Sequence, residues 1–376
     1  LLSEHGLPEW EPMLRLLLIS SIISGVALFY RPVSVRELPS VYPVAKISLT
    51  TSGKPSRAGR SPFNGIVIER ERAKYFIRPD GRSVTLDPDR LYSVPFLGTG
   101  FFEYEKIGST ITFRGRDGEI LWTKNYNSYP VPDYTGRLIL LLTGDNNRVD
   151  LINSNGNPAG DLFVAGNFLS DFDFSTRRGV ALLTFAGGKI YILDDSAKKI
   201  AHYDFANPEM EIFLKSCAIS PDGNEIAIHY YENGRDYISV LQRREMEPEV
   251  TPLMKIELPA VYPHLLHMGV TERGGLLVAA PDFTVFYDDS GESVWSHTVK
   301  ESDIYRPVLS DDGIIAYLEG GRIRVSDSSG NRVAAFPVNG AGESIQIMPG
   351  GERGELVVIS SENITVYRYQ PIDTDS

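Results

Sequence analysis

Hydrophobic and polar residues alternate in short runs along most of this chain, and glycine-bearing turns separate the runs. Residues 314–338 show the pattern in full. An alternating run (Ile314 to Leu318) meets a Gly-Gly turn, a second (Arg322 to Ser326) meets Ser-Ser-Gly-Asn, and a third runs from Arg332 to Val338. Period-two alternation broken by glycine turns predicts an antiparallel meander. One such unit cannot bury its own faces, so several must stack.

The unit recurs. Its second turn returns at Asp117-Gly118, Asn155-Gly156, Asp195-Ser196, Ser290-Gly291 and Ser329-Gly330, a spacing of roughly 40 residues with one gap of double length. Runs at Glu225 to Tyr231, Tyr237 to Arg243 and Leu253 to Leu258 fill that gap with a further unit. The first turn recurs as Ser220-Pro221-Asp222-Gly223, Thr271 to Gly274 and Ser310 to Gly313. Six complete four-strand units are expected from Tyr92 to Val338. The last segment holds only three runs, Ser344 to Met348, Glu355 to Ile359 and Ile364 to Tyr369. Earlier strand-like runs lie at Ile66 to Ile68, Tyr75 to Ile77 and Val84 to Leu86. If Tyr75 to Leu86 supplies the missing strand, the sheet array closes and loses its exposed edges. The expectation is an all-β, seven-bladed propeller over residues 64–370, followed by an acidic tail at 371–376.

Two pieces of the unit carry a family resemblance: Ser220-Pro221-Asp222-Gly223 before a strand, and Gly118-Glu119-Ile120-Leu121-Trp122 with Gly291-Glu292-Ser293-Val294-Trp295. In these the chain resembles the bacterial WD40-like and PQQ-like repeat propellers. The resemblance implies that Trp122 and Trp295 pack between neighbouring blades. Quinone-dependent members of that group use a vicinal disulfide, which a chain whose single cysteine is Cys217 cannot form. No cofactor is therefore expected.

The N-terminal region breaks the pattern. Residues 1–12 are polar and acidic, and residues 13–30 hold an uncharged run, Leu16 to Tyr30, behind Met13-Leu14-Arg15. As a helix the run is about 22 Å long, short for an apolar bilayer core of about 30 Å, but Arg15 and Arg31 can snorkel and extend it. An uncleaved transmembrane or signal-anchor helix is the reading taken, with a cleaved signal peptide as its alternative. Residues 31–63 are rich in proline and basic side chains and read as a spacer.

At 376 residues and 42% hydrophobic content the chain can bury a large core, which stacked repeats make one body. The net charge of −12 is unevenly spread, with residues 31–62 at +5 and residues 63–376 at −15. An acidic body repels phosphates, so nucleic acid is not an expected partner. Flanking charges by themselves leave the body on the cytoplasmic side, whereas a short basic head starting at Met13 exports it. Export is the reading taken, which puts the propeller on the periplasmic side of a bacterial inner membrane.

Signs of catalysis are sparse. His264 and His267 have a metal-ligand spacing but sit where a loop runs into a strand. The pairs Asp194-Asp195, Asp288-Asp289 and Asp311-Asp312 fall at turns, where Asp bonds its own backbone. Asp171 and Asp173 fall on an expected innermost strand and, with His267, leave a channel metal and a hydrolase or lactonase open as the alternative. A ligand-sensing envelope protein is a third reading. No phosphate loop, nucleophile elbow or zinc-peptidase helix is present. The expected function is non-enzymatic. Loops on one face collect Tyr126, Asn127, Tyr129, Arg148, Tyr231, Arg235, Tyr262, His264 and Tyr305, a composition suited to a protein interface. These are the expected binding residues of a scaffold that joins an envelope or membrane protein complex.

Overall fold

The computed structural model describes residues 41–48, 63–70, 72–205, 209–244, 249–298, 307–311, 313–319, 321–337, 345–349, 355–360 and 363–369. The expected helix at 13–30, the polar start at 1–12, the tail at 371–376 and Tyr305 lie outside the described residues. Among the described residues there is no helix, and none long and apolar enough to cross a membrane.

Every described element is a strand, and the strands form eight antiparallel sheets. Blade 1 is Ile66–Arg70, Ala73–Ile77 and Ser83–Leu86. Blade 2 is Leu91–Ser93, Gly100–Tyr104, Thr110–Gly115 and Ile120–Asn125, and blade 3 is Tyr129–Pro132, Leu138–Leu142, Arg148–Asn153 and Pro158–Ala165. Blade 4 is Leu169–Phe174, Ala181–Phe185, Lys189–Leu193 and Lys199–Asp204. Blade 5 has the longest strands, Ile212–Ile219, Glu225–Glu232, Arg235–Arg243 and Val250–Glu257. Blade 6 is His267–Val270, Leu276–Ala279, Phe283–Tyr287 and Ser293–Thr298, and blade 7 is Val308–Leu309, Ile315–Glu319, Arg322–Ser326 and Arg332–Pro337. Blade 8 joins Gln346–Pro349, Glu355–Ile359 and Asn363–Tyr369 to the early strand Val41–Ser48.

The fold is therefore a propeller of eight blades, not the expected seven. The six units from 92 to 338 stand as blades 2–7. The miscount lies in the closing strand. Val41–Ser48, inside the segment read as spacer, pairs along Asn363–Tyr369, from Val41 opposite Tyr369 to Ser48 opposite Asn363. Pro43 hides this strand in the sequence, because proline cannot donate to a ladder. The register shifts between Pro43 and Ala45, so the irregularity falls where the donor is missing. With blade 8 complete, Tyr75 to Leu86 remains in a separate three-stranded sheet.

Hydrophobic clusters prove the ring closed, because each cluster joins one blade to the next. Phe76 and Leu86 of blade 1 meet Phe101 of blade 2. Similar clusters follow between each pair up to blades 7 and 8, where Ile323 and Val325 meet Leu356 and Val358. The last cluster brings Ile66 and Ile77 of blade 1 against Val357 and Val366 of blade 8. Burial of these faces drives the stacking at about 25 cal/mol per Å² of apolar area.

In each four-stranded blade the first strand is innermost and the fourth outermost. Turns between first and second strands share the lower face with turns between third and fourth. Loops between second and third strands, and loops leading to the next blade, form the upper face. Lower turns are built on short polar side chains. Ser220 Oγ accepts the Glu225 N–H at 2.9 Å, and Asp194 Oδ1 accepts those of Ser196 and Lys198 at 3.0 and 2.9 Å. Asp288 does the same for Ser290 and Glu292, which gives these turn acids a structural task.

Candidate functional site

Blade 5 brings together three side chains of the kind a hydrolase uses. Ser216 Oγ lies 3.3 Å from His229 Nδ1, and His229 Nε2 lies 3.0 Å from Asp236 Oδ2. All three residues are fully buried. Lys215 Nζ donates to both Asp236 oxygens, at 2.7 and 2.8 Å, and to the Tyr262 carbonyl at 2.7 Å. The Tyr262 N–H donates to Asp236 Oδ2 at 2.7 Å. Burial would raise the Asp236 carboxyl, but the Lys215, Tyr262 and His229 hydrogen bonds outweigh it and hold the carboxyl below its usual range. Burial likewise lowers His229, against the pull of Asp236, and favours a neutral ring. The carboxylate is saturated and no substrate can reach the serine. This network fastens the loop after blade 5 to that blade's inner strands.

Asp171 and Asp173 act between blades. Asp171 Oδ2 accepts the Cys217 N–H, and Asp173 Oδ2 accepts the Ile219 N–H, each at 2.9 Å. Two carboxyls on the innermost strand of blade 4 thus hold the innermost strand of blade 5. Burial pushes Asp171 up to about 6 and Asp173 up to about 7, and the neighbouring Asp171 charge adds to the second shift. Burial also raises the Cys217 thiol, so this cysteine is an inert core side chain. Among the described residues no three His, Cys, Asp or Glu side chains converge as metal ligands.

The upper face is different, because several aromatic side chains stay exposed there beside loops that hydrogen bonds hold in place. Leu169 N–H donates to the Asn146 carbonyl, Phe168 N–H to Asn147 Oδ1 at 3.0 Å, Ala186 N–H to the Phe168 carbonyl at 2.8 Å, and Leu214 N–H to the Ala186 carbonyl at 3.2 Å. This chain of bonds runs from blade 3 through blade 4 to blade 5. It encloses an open pocket of about 480 Å³ lined by Asn147, Asn167, Phe168, Ala186, Ile212 and Phe213. Phe168 is 52% exposed and Phe213 51% exposed. Phe168 also sits at φ 62°, a left-handed conformation that costs a bulky residue about 1–2 kcal/mol.

None of the expected binding residues lines this pocket, and those among the described residues fall on the upper face in separate groups. On the blade 2 side, Asn127 is exposed, Tyr126 is half-buried with its hydroxyl donating to the Gly156 carbonyl at 2.9 Å, and Tyr129 donates to the Lys106 carbonyl at 2.8 Å. Arg148, beside Asn147, pairs with Asp150 at 2.6 Å and lies 4.0 Å over the Phe163 ring. Across the pocket Tyr231 stands opposite Phe213 in the blade 5 ladder, and Lys215 Nζ lies 5.7 Å over its ring. Arg235 is exposed and pairs with Glu257. His264 is exposed, whereas Tyr262 is only 7% exposed, packs against Phe283, and has no partner for its hydroxyl among the described residues. Phe168 and Phe213 were not expected from the sequence. The available signal was Gly166-Asn167-Phe168 at a loop, an aromatic where a small polar residue is usual.

Comparison with known proteins places only the fold. No protein-family model and no curated protein matches the sequence. Among solved structures, BamB from Moraxella catarrhalis is similar, at 13% identity and a TM-score of 0.57 over 88% of this chain and all of that one. The Myceliophteria thermophila Cps50 (Swd1) beta-propeller domain matches at 11% identity and a TM-score of 0.45 over 72% of this chain and 93% of that one. At these identities the likeness to BamB shows a shared propeller fold alone.

Proposed function

We propose that this chain is a non-catalytic, protein-binding propeller of a bacterial envelope complex, with its upper loop face as the docking surface. The observation that carries this reading is the contrast between the two sets of polar and aromatic groups. The serine, histidine and aspartates that resemble catalytic parts are consumed in holding strands and blades together, while Phe168 on a hydrogen-bonded loop and Phe213 at the start of a blade 5 strand are held out to solvent. Rigid exposed aromatics are the usual anchors of protein interfaces. Membership of the WD40-like and PQQ-like superfamily is part of the proposal, supported by the packing of Trp122 and Trp295 on the next blade's turn glycine. The membrane tether at 13–30 and the periplasmic placement rest on the sequence.

Photocrosslinking in cells tests the face. A benzoylphenylalanine at position 129, 213 or 264 is expected to crosslink a protein partner, and one at 155 or 329 on the lower face is not. Crosslinks confined to the lower positions would sink the proposal. Protease accessibility in spheroplasts checks the compartment, with cleavage of the body expected and full protection contradicting export.

A further inference from the structure

The identity of the groups around the pocket narrows the partner. Three loops supply its lining, residues 143–147, 166–168 and 186–188, and residues 209–211 lead into Ile212 on its edge. Their sequences are TGDNN, GNF, AGG and EME, which carry Asp145, Glu209 and Glu211 and no lysine or arginine. Basic side chains stand just beyond these loops, at Arg148 and Lys189. Arg148 is paired with Asp150, and Lys189 stands directly opposite Asp204 in the blade 4 ladder. The rim is acidic around an apolar floor.

Other occupants fit poorly. The pocket is open, and Asn147 Oδ1, one of its few polar atoms, is occupied by the Phe168 N–H, so little is left to orient a small polar ligand. A second copy of this chain would bring its own acidic body, at −15 over residues 63–376, against an acidic rim. Nucleic acid meets the same repulsion. A protein segment with a large apolar side chain flanked by lysine or arginine meets neither obstacle. Its apolar group fills the space between the two phenylalanines, and its cations face Asp145 and Glu211.

We infer that the pocket between Phe168 and Phe213 receives a basic segment of a partner protein, anchored by one aliphatic or aromatic side chain. This rests on the upper face being the docking surface. The conformation of Phe168 adds a second, independent observation. A phenylalanine held at positive φ carries backbone strain that glycine avoids, and its half-exposed ring leaves apolar surface open to a partner.

The test is selection of a random twelve-residue peptide library on the immobilised full chain in detergent, followed by fluorescence anisotropy of the enriched peptides. Enriched sequences are expected to combine a Leu, Ile, Phe or Trp with neighbouring Lys or Arg. Their binding should weaken at least about tenfold in Phe213→Ser and in Phe168→Gly, and several-fold in Glu211→Lys or when salt is raised from 50 to 300 mM. Phe168→Gly should melt no lower than the parent chain, which separates lost binding from lost folding. Enrichment of acidic or uncharged peptides, no enrichment, or binding indifferent to both phenylalanine variants overturns the inference. If the enriched peptides are instead lost on Tyr129→Ala or on a His264→Ala variant, the pocket assignment falls and the upper-face reading survives. If no upper-face variant matters, both fall. Self-association abolished by the same variants would assign the pocket to a second copy and refute a basic partner.

Discussion

Asp173 and Asp236 are both buried carboxyls, yet their surroundings move them in opposite directions. Burial raises the Asp173 carboxyl, against the Ile219 and Phe174 N–H bonds it accepts and with the nearby Asp171 charge adding to the rise, so its folded pKa of about 7 lies above the ordinary 3.8. The folded state then holds a proton that the unfolded chain has lost, so this group's stabilisation is present below pH 4 and disappears as pH rises through about 7. Asp173→Asn is expected to raise stability at pH 8, on the order of 1–2 kcal/mol given the residue's partial exposure, and to change little at pH 4. Urea unfolding at both pH values checks it; equal gains at both would mean the carboxyl is not protonated in the fold. Asp236 lies below its ordinary range and His229 below 6.5. The His229 contribution is present above pH 6.5 and declines as pH falls below it, and that of Asp236 is lost only at more acid pH still. Asp236→Asn leaves Lys215 buried without its counterion and should cost about 3 kcal/mol at pH 7, read as a lower urea midpoint. The sequence placed Asp171 and Asp173 on an innermost strand but offered them as metal ligands, and it gave no sign of the part Asp236 plays. A pKa depends on which backbone N–H groups the neighbouring blade supplies.

Between blades, the outermost strand of one packs on the last turn of the next. A Cβ built on Gly156 would lie 3.0 Å from the Trp122 ring, and one on Gly330 would lie 2.9 Å from that of Trp295. Met254 and Val84 take the same place against Gly291 and Gly118. The family resemblance implied this task for the two tryptophans, and the packing agrees. The repeated glycine is needed twice over, for its left-handed φ and for the close approach. Gly234 separates the two demands, since its φ is 93° and nothing lies within 4 Å of a built Cβ. Gly234→Ala should cost about 1 kcal/mol, and Gly156→Ala about 2–3 kcal/mol. In a Trp122→Ala background the excess at Gly156 should vanish, and persistence of the excess in the double-mutant cycle would disprove the stacking account.

The whole ring depends on a strand from the far end of the chain. Val41–Ser48 completes blade 8, and its partner strand packs toward blade 1 through Ile364 and Val366. On the lower face Arg177 of blade 4 adds a tie across the ring, reaching Asp311 of blade 7 at 3.0 Å as well as Glu272 of blade 6. A chain begun at Leu49 should therefore unfold at lower urea, and less cooperatively, than one begun at Val41. Matching transitions would show that the closing strand contributes nothing to the ring.

Strand by strand, the sequence was informative, because period-two alternation and glycine turns are local properties that the backbone enforces wherever they occur. It determined the all-β class and the six units that stand as blades 2–7, and it placed the three strands of blade 8 within a residue or two. Which strand closes the ring was decided only in three dimensions. Val41–Ser48 and Tyr75 to Leu86 compete for one edge, and the choice rests on ladder register and the fit of a proline at a bulge. The pocket belongs to the same class of fact. Asn147, Phe168 and Phe213 come from three blades and have no common signature along the chain, and only the hydrogen-bonded stacking of their loops turns two surface phenylalanines into one site.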